Sequence, residues 1–73
     1  MGEILTGVNG TILKWARERY NLSPEDAAHS IGITSERYVS WENGEAYPTY
    51  AMLKKISNVF QKPLYRFFSL FEQ

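Results

Sequence analysis

The stretch Leu22–Pro48, LSPEDAAHSIGITSERYVSWENGEAYP, decides the fold. Ser23 is placed to cap a helix, with Pro24 at its first helical position and Glu25 and Asp26 in its first turn, where acids favour the positive end of the helix dipole. Ala27, Ala28 and Ile31 recur at helical spacing. Gly32 then tolerates positive φ and ends the helix at little steric cost. Thr34 is placed to cap a second helix, with Glu36 and Arg37 following. Asn43-Gly44 stops that helix, and Pro48 forbids its resumption. Two short helices joined by a turn of about four residues follow from this pattern.

Working outward, Met1 to Val8 shows no periodicity and is expected as a loosely ordered arm. Asn9 can cap a first helix, Gly10 to Tyr20, with Ile12, Leu13 and Ala16 on one face. Trp15 beside them reads as packing, leaning on the last helix. Leu22 plugs the core. Tyr38 and Trp41, three apart, point inward, so Ser35, Glu36, Val39 and Ser40 point outward. Tyr47 is expected to lie across the surface of an extended connector, Glu45 to Pro48. Thr49 can cap a fourth helix, Tyr50 to Phe60, whose Leu53, Ile56 and Phe60 form an apolar stripe broadened by Met52 and Val59. Pro63 opens a fifth helix, Pro63 to Leu70, with Leu64, Phe67 and Phe68 inward. The expected architecture is all-α: five short helices over residues 9–70, with residues 71–73 as a short end that leaves Phe71 exposed.

Composition narrows the possibilities. A chain of 73 residues buries only about 60% of its unfolded surface and has a thin margin of stability. It has no Cys and a single His, so disulfides and Cys-based or His-based metal sites are excluded, and no cofactor is implied. Packing of aliphatic and aromatic side chains must hold it together. No apolar run approaches the ~20 residues of a membrane span, and no basic region precedes an apolar core as in a signal peptide. A cytoplasmic protein is the expectation. Net charge is zero at pH 7, without the basic excess usual in a nucleic-acid binder. Between Leu22 and Tyr50 the acids are Glu25, Asp26, Glu36, Glu42 and Glu45, against Arg37 alone.

With these features in place, the stretch resembles the helix-turn-helix of the phage-repressor (Cro/repressor, or XRE) family. The resemblance rests on the Leu22-Ser23 entry, Ala28, the Ile31-Gly32-Ile33 turn, and Trp41-Glu42-Asn43-Gly44 followed by Pro48. It extends over residues 9–68. Asn9 to Glu18 and Lys62 to Phe68 are similar to the flanks of a subgroup that stands alone or precedes an ImmA/IrrE-type zinc metallopeptidase domain.

The resemblance implies a sequence-specific DNA-binding transcriptional regulator of the repressor class, its recognition helix over residues 35–43 in the major groove. Carried over residue by residue, base-reading positions fall on Ser35, Glu36, Arg37 and Val39, with Ser40 a weaker one. Arg37 is the strong reader, since Arg takes guanine bidentately; Glu36 can accept from cytosine, and Val39 offers a thymine-methyl contact. A surface ion pair of Arg37 with Glu36 or the surroundings of Glu42 is the alternative. Phosphate contacts fall on Ser23, Thr34, Asn43, Tyr47 and Thr49, because amides at helix starts hold phosphate without Lys or Arg. Pro24 stands where the family commonly has Gln, which removes one anchoring side chain. Arg17 and Glu42 match the family's internal ion pair between the first and recognition helices.

Implied partners are double-stranded DNA and a second copy on a palindrome, with dimerisation around Phe67, Leu70 and Phe71; a monomeric domain with Phe71 capping its own core is the alternative. The competing expectation, favoured by the local acidity and Pro24, is a protein-interaction module that keeps the fold, with a toxin or metallopeptidase as partner. An enzyme is not expected: the sequence has no HExxH, no Gly-rich phosphate loop and no Ser/His/Asp set.

Overall fold

The computed structural model describes residues 4–68. Four α-helices run α1 Gly10–Arg19, α2 Pro24–Ile31, α3 Ser35–Glu42 and α4 Tyr50–Phe60, and one 3-10 turn, Leu64–Phe67, follows. Each helix starts on a side-chain cap. Asn9 accepts from the Thr11 amide at 2.8 Å, Ser23 from Asp26 at 3.0 Å, Thr34 from Arg37 at 3.2 Å and Thr49 from Met52 at 3.2 Å. Each such cap removes an orphan donor and is worth ~1 kcal/mol. α2 ends on Gly32 at φ 81°, whose amide closes on Ala28 and His29.

α3 packs against α2 and α1, and α4 closes over α2. The core joins Leu13 and Ala16 of α1, Ala27, Ala28 and Ile31 of α2, Tyr38 and Trp41 of α3, and Leu53, Ile56 and Phe60 of α4. Leu22 packs against it from the α1–α2 connection. The apolar face of the two-helix unit is therefore covered from behind, as the periodicity required.

Three elements differ from expectation. First, α1 stops at Arg19, and Tyr20 becomes its C-cap. Asn21 takes a left-handed φ of 57°, which Asn tolerates better than most residues. Second, the expected fifth helix is a single 3-10 turn. Pro63 lies before it in an extended conformation, and Phe68 is extended because its backbone pairs with Val8. A segment that spends its polar backbone on that pairing cannot also close α-helical hydrogen bonds. Third, Ile4 to Val8, expected as a partly disordered or loosely docked arm, is held by backbone pairing. Ile4 pairs with Thr49, the Leu5 amide donates to the Pro48 carbonyl at 2.9 Å, and the Asn9 amide donates to Phe67 at 2.7 Å. Val8 is buried in the core.

Two side chains also depart from their expected places. Trp15 is 41% exposed, and instead of packing on a last helix its ring lies beside the Arg19 and Lys62 cations. Phe67 is buried in the core, so it is not available to a second copy; Leu70 and Phe71, named with it as a dimer surface, lie outside the described residues.

Tyr38 is fully buried, and its hydroxyl has no hydrogen-bond partner among the described residues. Burial, together with the neighbouring Glu42 carboxylate, pushes its pKa above the ordinary tyrosine value. A buried polar group without a partner costs ~1–3 kcal/mol. Tyr38→Phe removes that cost while keeping the ring edge-on to Trp41. Chemical denaturation should therefore find the variant equal to or more stable than the parent by up to ~1 kcal/mol, whereas a loss of stability would mean the hydroxyl is bonded.

Candidate nucleic-acid interface

α3 is held from below by Tyr38 and Trp41, which leaves Glu36 and Arg37 exposed and Ser35, Val39 and Ser40 half-buried on the other side. Its C-terminal end is tied to α1. Arg17 Nε donates to Glu42 Oε2 at 2.8 Å, and Arg17 Nη2 donates to Glu42 Oε1 at 3.1 Å. The remaining Arg17 Nη1 donates to the Leu22 carbonyl at 2.8 Å, so one guanidinium joins α1, the entry to α2 and the end of α3. The hydrogen bond to Glu42 raises the Arg17 pKa above its ordinary value. Planar bidentate geometry of this kind is the favourable form of an ion pair.

The outer face of α3 borders the start of α2 in a shallow notch of about 350 Å³, lined by Pro24, Glu25, Ser35, Glu36, Val39, Ser40 and Glu45. The structure thus brings Ser35, Glu36, Val39 and Ser40 together. Arg37 does not form the expected alternative ion pair with Glu36 or near Glu42: among the described residues it has no salt bridge, and its guanidinium lies 5.8 Å from the Trp41 ring centroid. Ser40 donates its hydroxyl to the Arg37 carbonyl at 2.6 Å, so outward it can only accept, through its oxygen lone pairs. Glu25 and Glu45 complete the rim. The sequence reading treated Glu25 as a favourable helix start and Glu45 as part of a connector; their approach to α3 depends on the packing of α2 against it.

The phosphate candidates divide into two groups. The hydroxyls of Ser23, Thr34 and Thr49 accept capping hydrogen bonds and each keeps one O–H to donate. Thr49 is also drawn into the pairing with Ile4. Asn43 and Tyr47 are brought together at the other end of α3. There they line a cleft of about 380 Å³ with Thr6, Asn9, Gly10 and Thr11 at the start of α1. The sequence marks Asn9 only as a helix cap and Thr11 not at all; they enter the cleft because the start of α1 abuts the end of α3. Neutral polar groups, together with the Arg17-paired Glu42, therefore line the C-terminal end of α3, and unpaired carboxylates its outer side.

This arrangement defines an all-helical DNA-binding fold built on a helix-turn-helix. The chain belongs to the helix-turn-helix family of the XRE type, which its sequence matches over residues 13–67. Among solved structures it is similar to the hydroxypropylphosphonic acid epoxidase of S. wedmorenis at a TM-score of 0.76 and 25% identity, covering 88% of this chain and 36% of that one. The same enzyme in complex with fosfomycin gives 0.75 at 28% identity, covering 90% and 35%. The chain thus spans about a third of the enzyme's length. The restriction-modification controller protein C.AhdI from Aeromonas hydrophila shares the fold at 0.75 and 20% identity, covering 81% of this chain and 86% of that one. No curated protein matches the sequence. Among the described residues no helix is long and apolar enough to cross a membrane.

Proposed function

We propose that the chain is a cytoplasmic, sequence-specific DNA-binding regulator of the repressor class, acting by binding rather than by catalysis, with α3 in the major groove. One observation carries the reading. α3 starts on the Thr34 cap and is anchored from below by Tyr38 and Trp41; it presents the half-buried Ser35 and Val39 with the exposed Glu36 along the notch, and the exposed Arg37 on its flank beside Trp41. The controller-protein likeness supports it, because that neighbour is of similar length and shares the fold. Phosphates flanking the groove would sit on Asn43 and Tyr47 at one end of α3 and on the Ser23 and Thr34 starts at the other. One helix of this length reads few bases, so two copies on half-sites about 34–36 Å apart are required for useful specificity.

Selection from random duplexes by the purified protein tests the reading, and a recovered palindrome is the expected result. Arg37→Ala should then relax discrimination at a single base pair by ~1–3 kcal/mol. Uniform loss across all sequences would instead make Arg37 a phosphate contact.

A second reading is favoured by the rim of Glu25, Glu36 and Glu45 around the notch. In it the same face docks a protein, as in an antitoxin or the front domain of an ImmA/IrrE-type metallopeptidase. A duplex binder loses affinity linearly in log salt. A protein-docking module shows no such dependence on duplex and instead carries a partner through purification.

A further inference from the structure

The zero net charge conceals a marked separation. α2, α3 and the following loop expose Glu25, Asp26, Glu36 and Glu45 against Arg37. Among the described residues, Lys14, Arg19, Lys54, Lys55, Lys62 and Arg66 lie on α1, α4 and the segment after α4, with Glu18 the only acid among them outside the Arg17–Glu42 pair. A polyanion orients such a molecule by its field and draws in the positive side first. The acidic face carrying α3 is therefore not the part of the molecule that phosphates attract in a sequence-independent encounter.

The cations are most concentrated at the C-terminal ends of α1 and α4. Arg19 Cζ and Lys62 Nζ each lie 5.0 Å from the centroid of the Trp15 ring, so the two charges are at most twice that distance apart. Compensation of two helix C-termini accounts for one cation at each end. It does not account for an indole left 41% exposed between them. Tyr20, 43% exposed, adjoins this cluster from the α1 C-cap and stacks on Phe60 at 6.0 Å. Closely set cations beside a part-exposed indole suit a nucleic-acid backbone: the charges meet nearby phosphates, and the exposed part of the ring meets the sugar.

We propose that the Trp15–Arg19–Lys62 cluster is a second, sequence-independent site for the phosphodiester backbone of nucleic acid. The site is separate from α3 and does not depend on α3 entering a groove. It supplies the electrostatic attraction that the acidic recognition face lacks.

The test is anisotropy of a labelled random-sequence duplex titrated with the full chain between 50 and 200 mM salt. Removing two phosphate contacts, Arg19→Gln with Lys62→Gln should lower the slope of log affinity against log salt by about 2. Lys54→Gln with Lys55→Gln removes the same net charge from α4 and should lower it by less than half as much. Circular-dichroism melts confirm folding; if the Arg19/Lys62 double variant melts early, Arg19→Gln alone should lower the slope by about 1. Two results would overturn the site: an unchanged slope in the Arg19/Lys62 variant, or an equal loss in the Lys54/Lys55 variant. Sedimentation showing a salt-sensitive association of the protein that Arg19→Gln with Lys62→Gln abolishes would also overturn it, since the cluster would then dock on the acidic face of a second copy. Retention of selected-operator binding by the Arg19/Lys62 variant separates this outcome from failure of the α3 reading.

Discussion

Glu42→Ala should lower stability by about 3–5 kcal/mol, the cost of stranding one member of a buried ion pair. Burial decides the size. Exposed pairs contribute ~0–1 kcal/mol, but the Arg17 and Glu42 side chains are only 10% and 7% exposed. With Glu42 gone, the guanidinium keeps the Leu22 carbonyl and loses both carboxylate oxygens. A domain of this size has a total stability on the order of 5 kcal/mol, so the variant should be largely unfolded or should melt at least about 12 °C lower. The pair itself adds little beyond what an apolar pair of similar volume would contribute. Arg17→Met with Glu42→Leu should therefore recover most of what Glu42→Ala loses. A melting temperature for Glu42→Ala within about 3 °C of the parent would show that water reaches the pair and that it behaves as a surface contact.

Much of the fold was legible because it depends on local chemistry. Asn9, Ser23, Thr34 and Thr49 each cap the helix whose start they marked, and Gly32 takes the left-handed φ for which it was singled out. The inward pairing of Tyr38 with Trp41 followed from spacing alone. What escaped depends on partners remote in sequence. Ile4 to Val8 has no periodicity, and its order comes from the carbonyl of Pro48 and the backbone of Phe68. The same pairing claims Phe68, which is why an apolar run after Pro63 winds for only a single 3-10 turn. Gln61 closes α4 in a left-handed conformation without a glycine to announce it. At the candidate interface, the outward set on α3 was readable from its period. The acidic rim and the donor cleft were not, because Glu25, Glu45, Asn9 and Thr11 reach α3 only through tertiary packing.

Gly10→Ala should be nearly as damaging, at about 3 kcal/mol, although alanine is ordinarily the better helix residue. In an exposed helix the exchange gains roughly 1 kcal/mol. Here a Cβ at Gly10 would stand 2.3 Å from the Glu42 carbonyl oxygen and 2.6 Å from that of Trp41. Both obstacles are backbone, so no flexible side chain can swing aside, and α1 or the end of α3 must move. Overpacking of that severity lies at the upper end of about 1–3 kcal/mol and outweighs the gain in propensity. Thermal melts should show a drop of roughly 10–20 °C, and a neutral or stabilised variant would mean that the helices do not meet at this contact. The displacement has a second signature, because the obstructing carbonyl belongs to the residue that Arg17 grips. Pushing the start of α1 away from Glu42 should weaken that bidentate pair, so the coupling of Arg17 and Glu42 in a double-mutant cycle should be smaller in the Gly10→Ala background than in the parent. Full retention of the coupling would place the strain elsewhere and leave α3 in its original seat.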